Sequence, residues 1–256
     1  MRVAVVGGTG TFGSLAAQEL ARGGHQVRVL SRHPPSGAAA AGHRRVDLAT
    51  GEGLPAALTG VDVVVDACNV MRSRRAMDTV MVGGARRLRR AEAEMGVAHH
   101  VLISIVGIDR VPLPYYRVKL EQERALAESP VPAGVLRSTQ FHQLVDRIFA
   151  ASSRFGVVPS GQFLLQPVDP LEVARTLVAS LAEGAWVGRR EIAGPEVLSL
   201  TALARAWLGA RGSGRLLVPV PFVGKAGRAL RDGGLTAPDA ERASSTFAGW
   251  LAGRGT

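Results

Sequence analysis

The chain has 256 residues, 46 % of them hydrophobic, a composition that suits a folded domain with a sizeable core and excludes a disordered chain. Its one cysteine, Cys68, excludes an intramolecular disulfide framework and a multi-cysteine zinc site. The net charge of +10 raises the question of nucleic acid, yet only 5 % of residues are aromatic and the arginines are spread out, with no basic–aromatic interleaving.

No apolar run approaches the roughly 20 residues that span a bilayer. The first apolar run is short and ends in glycines, unlike a signal peptide. The expectation is a cytoplasmic protein with a small-molecule substrate, no metal, no membrane partner and no nucleic acid; a homodimer is compatible with the sequence.

Arg2–Val6 reads as a short buried strand. It runs into Gly7-Gly8-Thr9-Gly10-Thr11-Phe12-Gly13, which fits both Gly-x-Gly-x-x-Gly and Gly-x-x-Gly-x-x-Gly. Ser14–Arg22 is predicted as a helix stopped by Gly23-Gly24, and Gln26–Leu30 as a second strand. A strand, a glycine loop, a helix and a strand form a dinucleotide-binding unit: the glycines turn the chain and let backbone approach a pyrophosphate at the helix N-terminus. Gly7, Gly10, Thr11, Phe12 and Gly13 are the predicted phosphate cradle. The second strand ends Leu30-Ser31-Arg32-His33, without the acid that would hold a ribose 2′-hydroxyl. Arg32 offers a fork suited to a 2′-phosphate and Ser31 a hydroxyl donor, so NADP(H) is expected over NAD(H), although Arg32 also fits an ordinary exposed loop arginine.

His33–Gly42 reads as a loop on the adenosine side. His43–Leu48 is a predicted third strand ending in Asp47-Leu48, Leu54–Leu58 a short helix, and Val61–Ala67 a valine-rich buried strand. Alternating strands and helices predict a Rossmann-type, doubly wound parallel sheet, with ligands outside the carboxyl ends of the strands. Cys68-Asn69 stands at one such end: Asn69 suits the nicotinamide side or an ordinary turn, and Cys68 a small buried side chain. Met77–Met95 is predicted as one long helix and Val97–Val106 as a fifth strand, with His99 and His100 on its entry side as structural residues.

That strand delivers Ser104. Pro114 is placed to start a helix with Tyr115 and Lys119 at i and i+4. A phenol is a poor acid or base at neutral pH until a fixed cation favours its phenolate, and Lys119 is the predicted cation, with Ser104 as orienting donor. Tyr116 has Leu120 at i+4 instead. Two tyrosine–lysine positions one turn apart are also common in helices without function.

Taken together, GGTGTFG, the arginine after the second strand, Asp47-Leu48, Ser104 and Tyr115-x-x-x-Lys119 resemble the short-chain dehydrogenase/reductase superfamily, in its extended or atypical branch near the NmrA-like NAD(P)-binding proteins. Val135–Phe141 is similar to that family's sixth-strand segment, and Gln166–Ala174 to its late strand-to-helix junction. The resemblance implies pyrophosphate contacts at Gly7, Gly10 and Gly13, an adenine border at Asp47-Leu48, and catalytic roles for Tyr115 and Lys119, which also reaches the nicotinamide ribose. NmrA-like members often lack the Tyr/Lys pair and include cofactor sensors without turnover, so its presence here favours an enzyme.

Downstream, Ser129–Pro132 ends the tyrosine helix, and His142 stands where it could meet substrate. Asp169, Pro170 and Glu172 spell a capping box opening a helix over Pro170–Ala182. Val187–Ala193 and Arg215–Val218 are predicted strands; Ser199–Leu208 and Ala237–Leu251 are predicted helices, the last burying Phe247, Trp250 and Leu251. The expected organisation is a Rossmann core over residues 1–141 and a small C-terminal α+β substrate lobe over 142–256, partly completing the core. The expected function is an NADP-dependent oxidoreductase acting on a small carbonyl or alcohol. The alternatives are a non-catalytic NADP(H) sensor, or a sugar-nucleotide-type epimerase or isomerase using the same Tyr and Lys.

Overall fold

A computed structural model of the chain describes residues 1–34, 42–212 and 214–253, so most of the expected adenosine-side loop lies outside the described residues. Strand β1 (Arg2–Val6), buried from Val3 onward, leads through the glycines into helix α1 (Thr11–Arg22). The helix starts three residues earlier than predicted, because Gly10 is an extended N-cap and Thr11 is already helical. Strand β2 (Gln26–Ser31) follows the Gly23-Gly24 stop. Strand β3 (His43–Arg45) is shorter than predicted, since Asp47 closes a turn: its Oδ1 accepts from Ala49 N–H at 2.8 Å and its carbonyl from Gly51 N–H at 2.7 Å. Helix α2 (Leu54–Leu58) and strand β4 (Val63–Asp66) come next, every β4 residue being buried.

The predicted helix Met77–Met95 is interrupted. Helix α3 (Arg74–Met77) passes through one π turn, Asp78–Val82, into helix α4 (Gly83–Met95). The glycine pair at the junction has low helix propensity, and Gly84 is packed so tightly that a Cβ would stand 2.9 Å from Leu48 Cβ. Strand β5 (His99–Ile105), helix α5 (Pro114–Ala125), which starts at the predicted proline, and strand β6 (Ala133–Ser138) follow. The rest of the chain forms helix α6 (His142–Ser153), strands β7 (Val157–Ser160) and β8 (Leu164–Leu165), helix α7 (Pro170–Ala182), and strands β9 (Gly188–Ala193) and β10 (Leu198–Ser199). Helix α8 (Leu200–Ala210), strand β11 (Leu216–Pro219), helix α9 (Gly224–Arg231), strand β12 (Glu241–Arg242) and helix α10 (Phe247–Ala252) complete it.

The main sheet has the order β12-β9-β6-β5-β4-β1-β2-β3. Strand β1 pairs in parallel with both β2 and β4, placing Val6 beside Leu30 and Asp66. The order of strand addition therefore reverses between β1 and β4, the switch point where doubly wound sheets open a ligand crevice.

The described residues fall into two compact units that interleave along the chain. The first comprises Met1–Ser104, Pro114–Leu136 and Ala174–Arg190; the second comprises Ile105–Leu113, Arg137–Val173 and Glu191–Thr256.

The first unit is built on a core that includes Ala4, Val6, Leu30, Leu48, Val64 and Leu88. At the amino end of β5, buried Glu92 binds Arg89 at 2.9 Å and His100 Nδ1 at 2.7 Å, while His99 Nε2 lies 2.8 Å from the Trp186 carbonyl. Both histidines thus lie inside packed structure at the strand's entry.

The second unit has its own core around Phe149, Val158, Leu203, Trp207 and Phe247. His142 is buried there, its Nε2 3.2 Å from the Ser245 carbonyl, and packs inside that unit. Asp169 caps α7 as predicted, its Oδ1 accepting from Leu171 N–H at 2.9 Å. Glu172 does not close the capping box. Its carboxylate accepts from Ser244 N–H at 2.6 Å, Ser244 Oγ at 2.8 Å and Ser245 N–H at 3.0 Å. With those amides taken, the predicted helix Ala237–Leu251 shrinks to α10, which Thr246 caps by accepting from Gly249 N–H.

Candidate functional site

The glycine loop joins β1 to α1 at the carboxyl ends of β1 and β4. Gly7 has φ +70°, and a Cβ there would stand 3.0 Å from the Ala67 carbonyl. Gly13 lies over it, where a Cβ would be 2.2 Å from Gly7 O. Gly10 N–H donates to Gly7 O at 2.9 Å and folds the loop back on itself. The nearest atom to a Cβ on Gly10 is Gly7 O at 3.2 Å, so this residue presents its backbone outward. Ser14 N–H to Gly10 O, at 3.0 Å, opens α1, leaving the amides of Thr11 and Gly13 without an intrahelical acceptor. The helix has no acid in its first turn. Two positions that reject a side chain, one open glycine and an uncompensated helix N-terminus form a cradle for phosphate.

At the end of β2, Arg32 is exposed, and its charge acts on the Cys68 thiol. Ser31, the other predicted 2′-phosphate donor, is engaged locally: its hydroxyl donates to the His33 carbonyl at 2.5 Å and lies 3.0 Å from His43 Nε2. Asp47 shapes its own turn, and Leu48 is packed in the core.

The acid–base residues are distributed differently from the sequence expectation. Tyr115 Oη donates to the exposed Asn69 Oδ1 at 2.9 Å, bringing together two predicted site residues from separate elements. Burial pushes the Tyr115 phenol up to about 12, opposed by the Asn69 hydrogen bond; Tyr116 and Cys68 push it further up.

Lys119 is instead 2 % exposed, and its ammonium donates to the Ile103 carbonyl at 2.9 Å and Gln122 Oε1 at 2.8 Å. Gln122 Nε2 donates in turn to Asp66 Oδ2 at 3.1 Å, and Asp66 Oδ1 accepts from Cys68 N–H at 2.9 Å. Ser104 is buried and donates to Glu123 Oε1 at 2.5 Å. The expected Ser–Tyr–Lys cluster is therefore divided into three local pairings. A buried ammonium needs acceptors and a nearby carboxylate, which the Ile103 carbonyl, Gln122 and Asp66 supply.

Burial raises the Asp66 carboxyl and lowers Lys119; each partly offsets the other's desolvation. Asp66, Gln122 and Glu123 were missed from sequence. The available signals were a carboxylate closing an otherwise all-valine strand, and polar residues at i+3 and i+4 from Lys119.

A switch-point crevice beside a side-chain-free phosphate cradle defines a Rossmann-type dinucleotide-binding protein. The sequence profile of the NAD(P)H-binding family matches residues 7–183, more than half of the chain, which therefore belongs to that family. A chloroplastic protein of Arabidopsis thaliana, High Chlorophyll Fluorescence Phenotype 244, is 31 % identical over 147 residues, covering 55 % of this chain and 37 % of the relative. The chain thus matches little more than a third of that relative's length. Among solved structures, the NADPH complex of an Escherichia coli NADPH-dependent quinone oxidoreductase superposes with a TM-score of 0.81 at 19 % identity, covering 99 % of this chain and 100 % of the other. A Staphylococcus aureus nucleoside-diphosphate-sugar epimerase gives 0.80 at 17 % identity, covering 98 % and 100 %. Both share the fold.

Proposed function

We propose that the chain is an NADP(H)-dependent oxidoreductase that reduces a small carbonyl or quinone-type substrate. The carrying observation is the cradle at Gly7, Gly10 and Gly13 with Arg32 at the end of β2. The glycine loop and the first-turn amides of α1 hold the pyrophosphate, and Arg32 holds a 2′-phosphate. The bound nicotinamide supplies hydride. Tyr115, with its phenol pushed up to about 12, keeps its proton at neutral pH; that proton, held by Asn69 in the structure, passes to the substrate oxygen once the substrate displaces Asn69 as its acceptor. Lys119, Gln122 and Asp66 brace the end of β4 from below.

The likeness to the NADPH-dependent quinone oxidoreductase supports this reading. The test is a fluorescence titration with NADPH and NADH, then reduction of quinones and aldehydes by wild type, Arg32→Ala and Tyr115→Phe. Preference for NADPH should disappear in Arg32→Ala. Tyr115→Phe should bind NADPH as wild type does, yet lose about 10²-fold or more in turnover.

One observation favours a second reading, a cofactor-sensing protein without turnover: Lys119 and Ser104 are engaged away from the phenol. Tight NADPH binding with no turnover on any substrate, in wild type and Tyr115→Phe alike, would select it. An epimerase or isomerase would instead convert substrate without net consumption of cofactor.

A further inference from the structure

The second unit carries an exposed apolar face. Strands β7 and β11 form a two-stranded parallel sheet in the register Leu216–Val157, Leu217–Val158 and Val218–Pro159. Side chains alternate between its faces, so Val158 and Leu217 enter the core while Leu216, Val218, Val157 and Pro159 occupy the other face. Leu216 is 71 % exposed and Val218 43 %. The face is extended at both ends. Leu216 N–H donates to the Gly156 carbonyl, which sets Phe155, 84 % exposed, beside it; Val220 N–H donates to the Ser160 carbonyl and leads into Phe222 and Val223, the latter 82 % exposed.

The rim of this face is basic at both ends. Exposed Arg154 precedes Phe155, and Lys225, Arg228 and Arg231 project from α9, whose Gly227 packs against the Phe222 carbonyl so closely that a Cβ would be 2.0 Å away. From Val197 to Arg231 the sequence has six basic residues and no acidic one. A second copy laid on this face by two-fold symmetry would set basic rim against basic rim. An interface of lipid headgroups and acyl chains satisfies both features: apolar side chains enter the acyl boundary while arginine and lysine meet anionic headgroups.

We propose that this face docks the protein peripherally onto an anionic lipid surface. Peripheral docking needs no spanning segment, and no helix among the described residues is long and apolar enough to cross a membrane.

The test is flotation of the full chain with vesicles of phosphatidylcholine alone, or containing about one-third phosphatidylglycerol. The protein should float with the anionic vesicles only. Phe155→Ser/Leu216→Ser, which leaves the charge unchanged, should lower the partition coefficient about tenfold or more. Arg154→Gln and Lys225→Gln should each lower it about fivefold. All four side chains are exposed, so circular-dichroism melts should match wild type. Absence of flotation overturns the proposal. So does equal flotation of the charge-neutral double variant, which would leave the net positive charge as the sole cause. A wild-type dimer in light scattering that this variant converts to monomer would assign the face to a second copy instead.

Discussion

Gly13→Ala is the sharpest test of the phosphate cradle. A methyl group on Gly13 would be 2.2 Å from Gly7 O and 2.8 Å from both Gly7 C and Gly8 Cα, all backbone atoms. Ordinary contact begins at 3.4 Å, so the loop and the first turn of α1 must separate by roughly 1 Å, and overpacking on that scale costs about 1–3 kcal/mol. At roughly 2–4 °C per kcal/mol for a chain of this size, thermal unfolding should begin at least a few degrees lower. The same displacement misaligns the amides that meet pyrophosphate. Loss of one hydrogen bond to a charged group, at about 1.5–3 kcal/mol, weakens NADPH binding by about tenfold to somewhat over a hundredfold.

Gly10→Ala is the companion measurement. Its Cβ meets only Gly7 O, at 3.2 Å, on the outward side of the loop. The Gly7 carbonyl must give by a few tenths of an ångström, so stability should fall less than in Gly13→Ala, while on the proposed binding mode NADPH affinity also falls. Fluorescence titration and calorimetry on both variants separate the two effects. A Gly13→Ala protein that melts and binds NADPH as wild type does would refute the account of the loop.

Lys119→Met should expose the dependence of Asp66 on a neighbouring cation. Asp66 has a folded-state pKa raised by burial, so its stability contribution is present below its unfolded value and is lost as pH rises through the folded one; removing Lys119, which lowers that pKa, prolongs the loss to higher pH. Lys119→Met should therefore be destabilised most at neutral pH, by about 3–5 kcal/mol, and least near pH 4; Asp66→Asn in the same protein should flatten that profile, and a pH-independent loss in melts of Lys119→Met would contradict it. Glu172→Ala should strip three donors of Ser244 and Ser245 of their acceptor, costing about 1–3 kcal/mol. Hydrogen exchange at the Ser244 and Ser245 amides should accelerate in Glu172→Ala and recover partly in Glu172→Gln; unchanged exchange would show that the carboxylate holds nothing in place.

Local chemistry was legible where neighbours in sequence are neighbours in space. The glycine loop, the start of α5 at Pro114 and the bounds of α7 follow from turn, cap and periodicity rules acting over a few residues. The failures share a cause. Asp47 ends β3 through its own turn, the π turn before α4 answers to the packing of Gly84 on Leu48, and Glu172 spends its carboxylate on residues some seventy positions away. Each is a contact that no short window contains.

The site divides in the same way. Sequence by itself determined that the chain has a dinucleotide cradle, because a strand, three spaced glycines and a helix permit little else, and backbone sterics are local. Only the tertiary structure decided which partners the residues predicted for acid–base chemistry take. Helical spacing puts Tyr115 and Lys119 on one face of α5, but it does not say which polar groups β4 and β5 bring beneath that face. Asp66, the Ile103 carbonyl and Gln122 stabilise the buried ammonium there, and the phenol turns to Asn69. Desolvation makes that choice, and desolvation is a property of the packed chain.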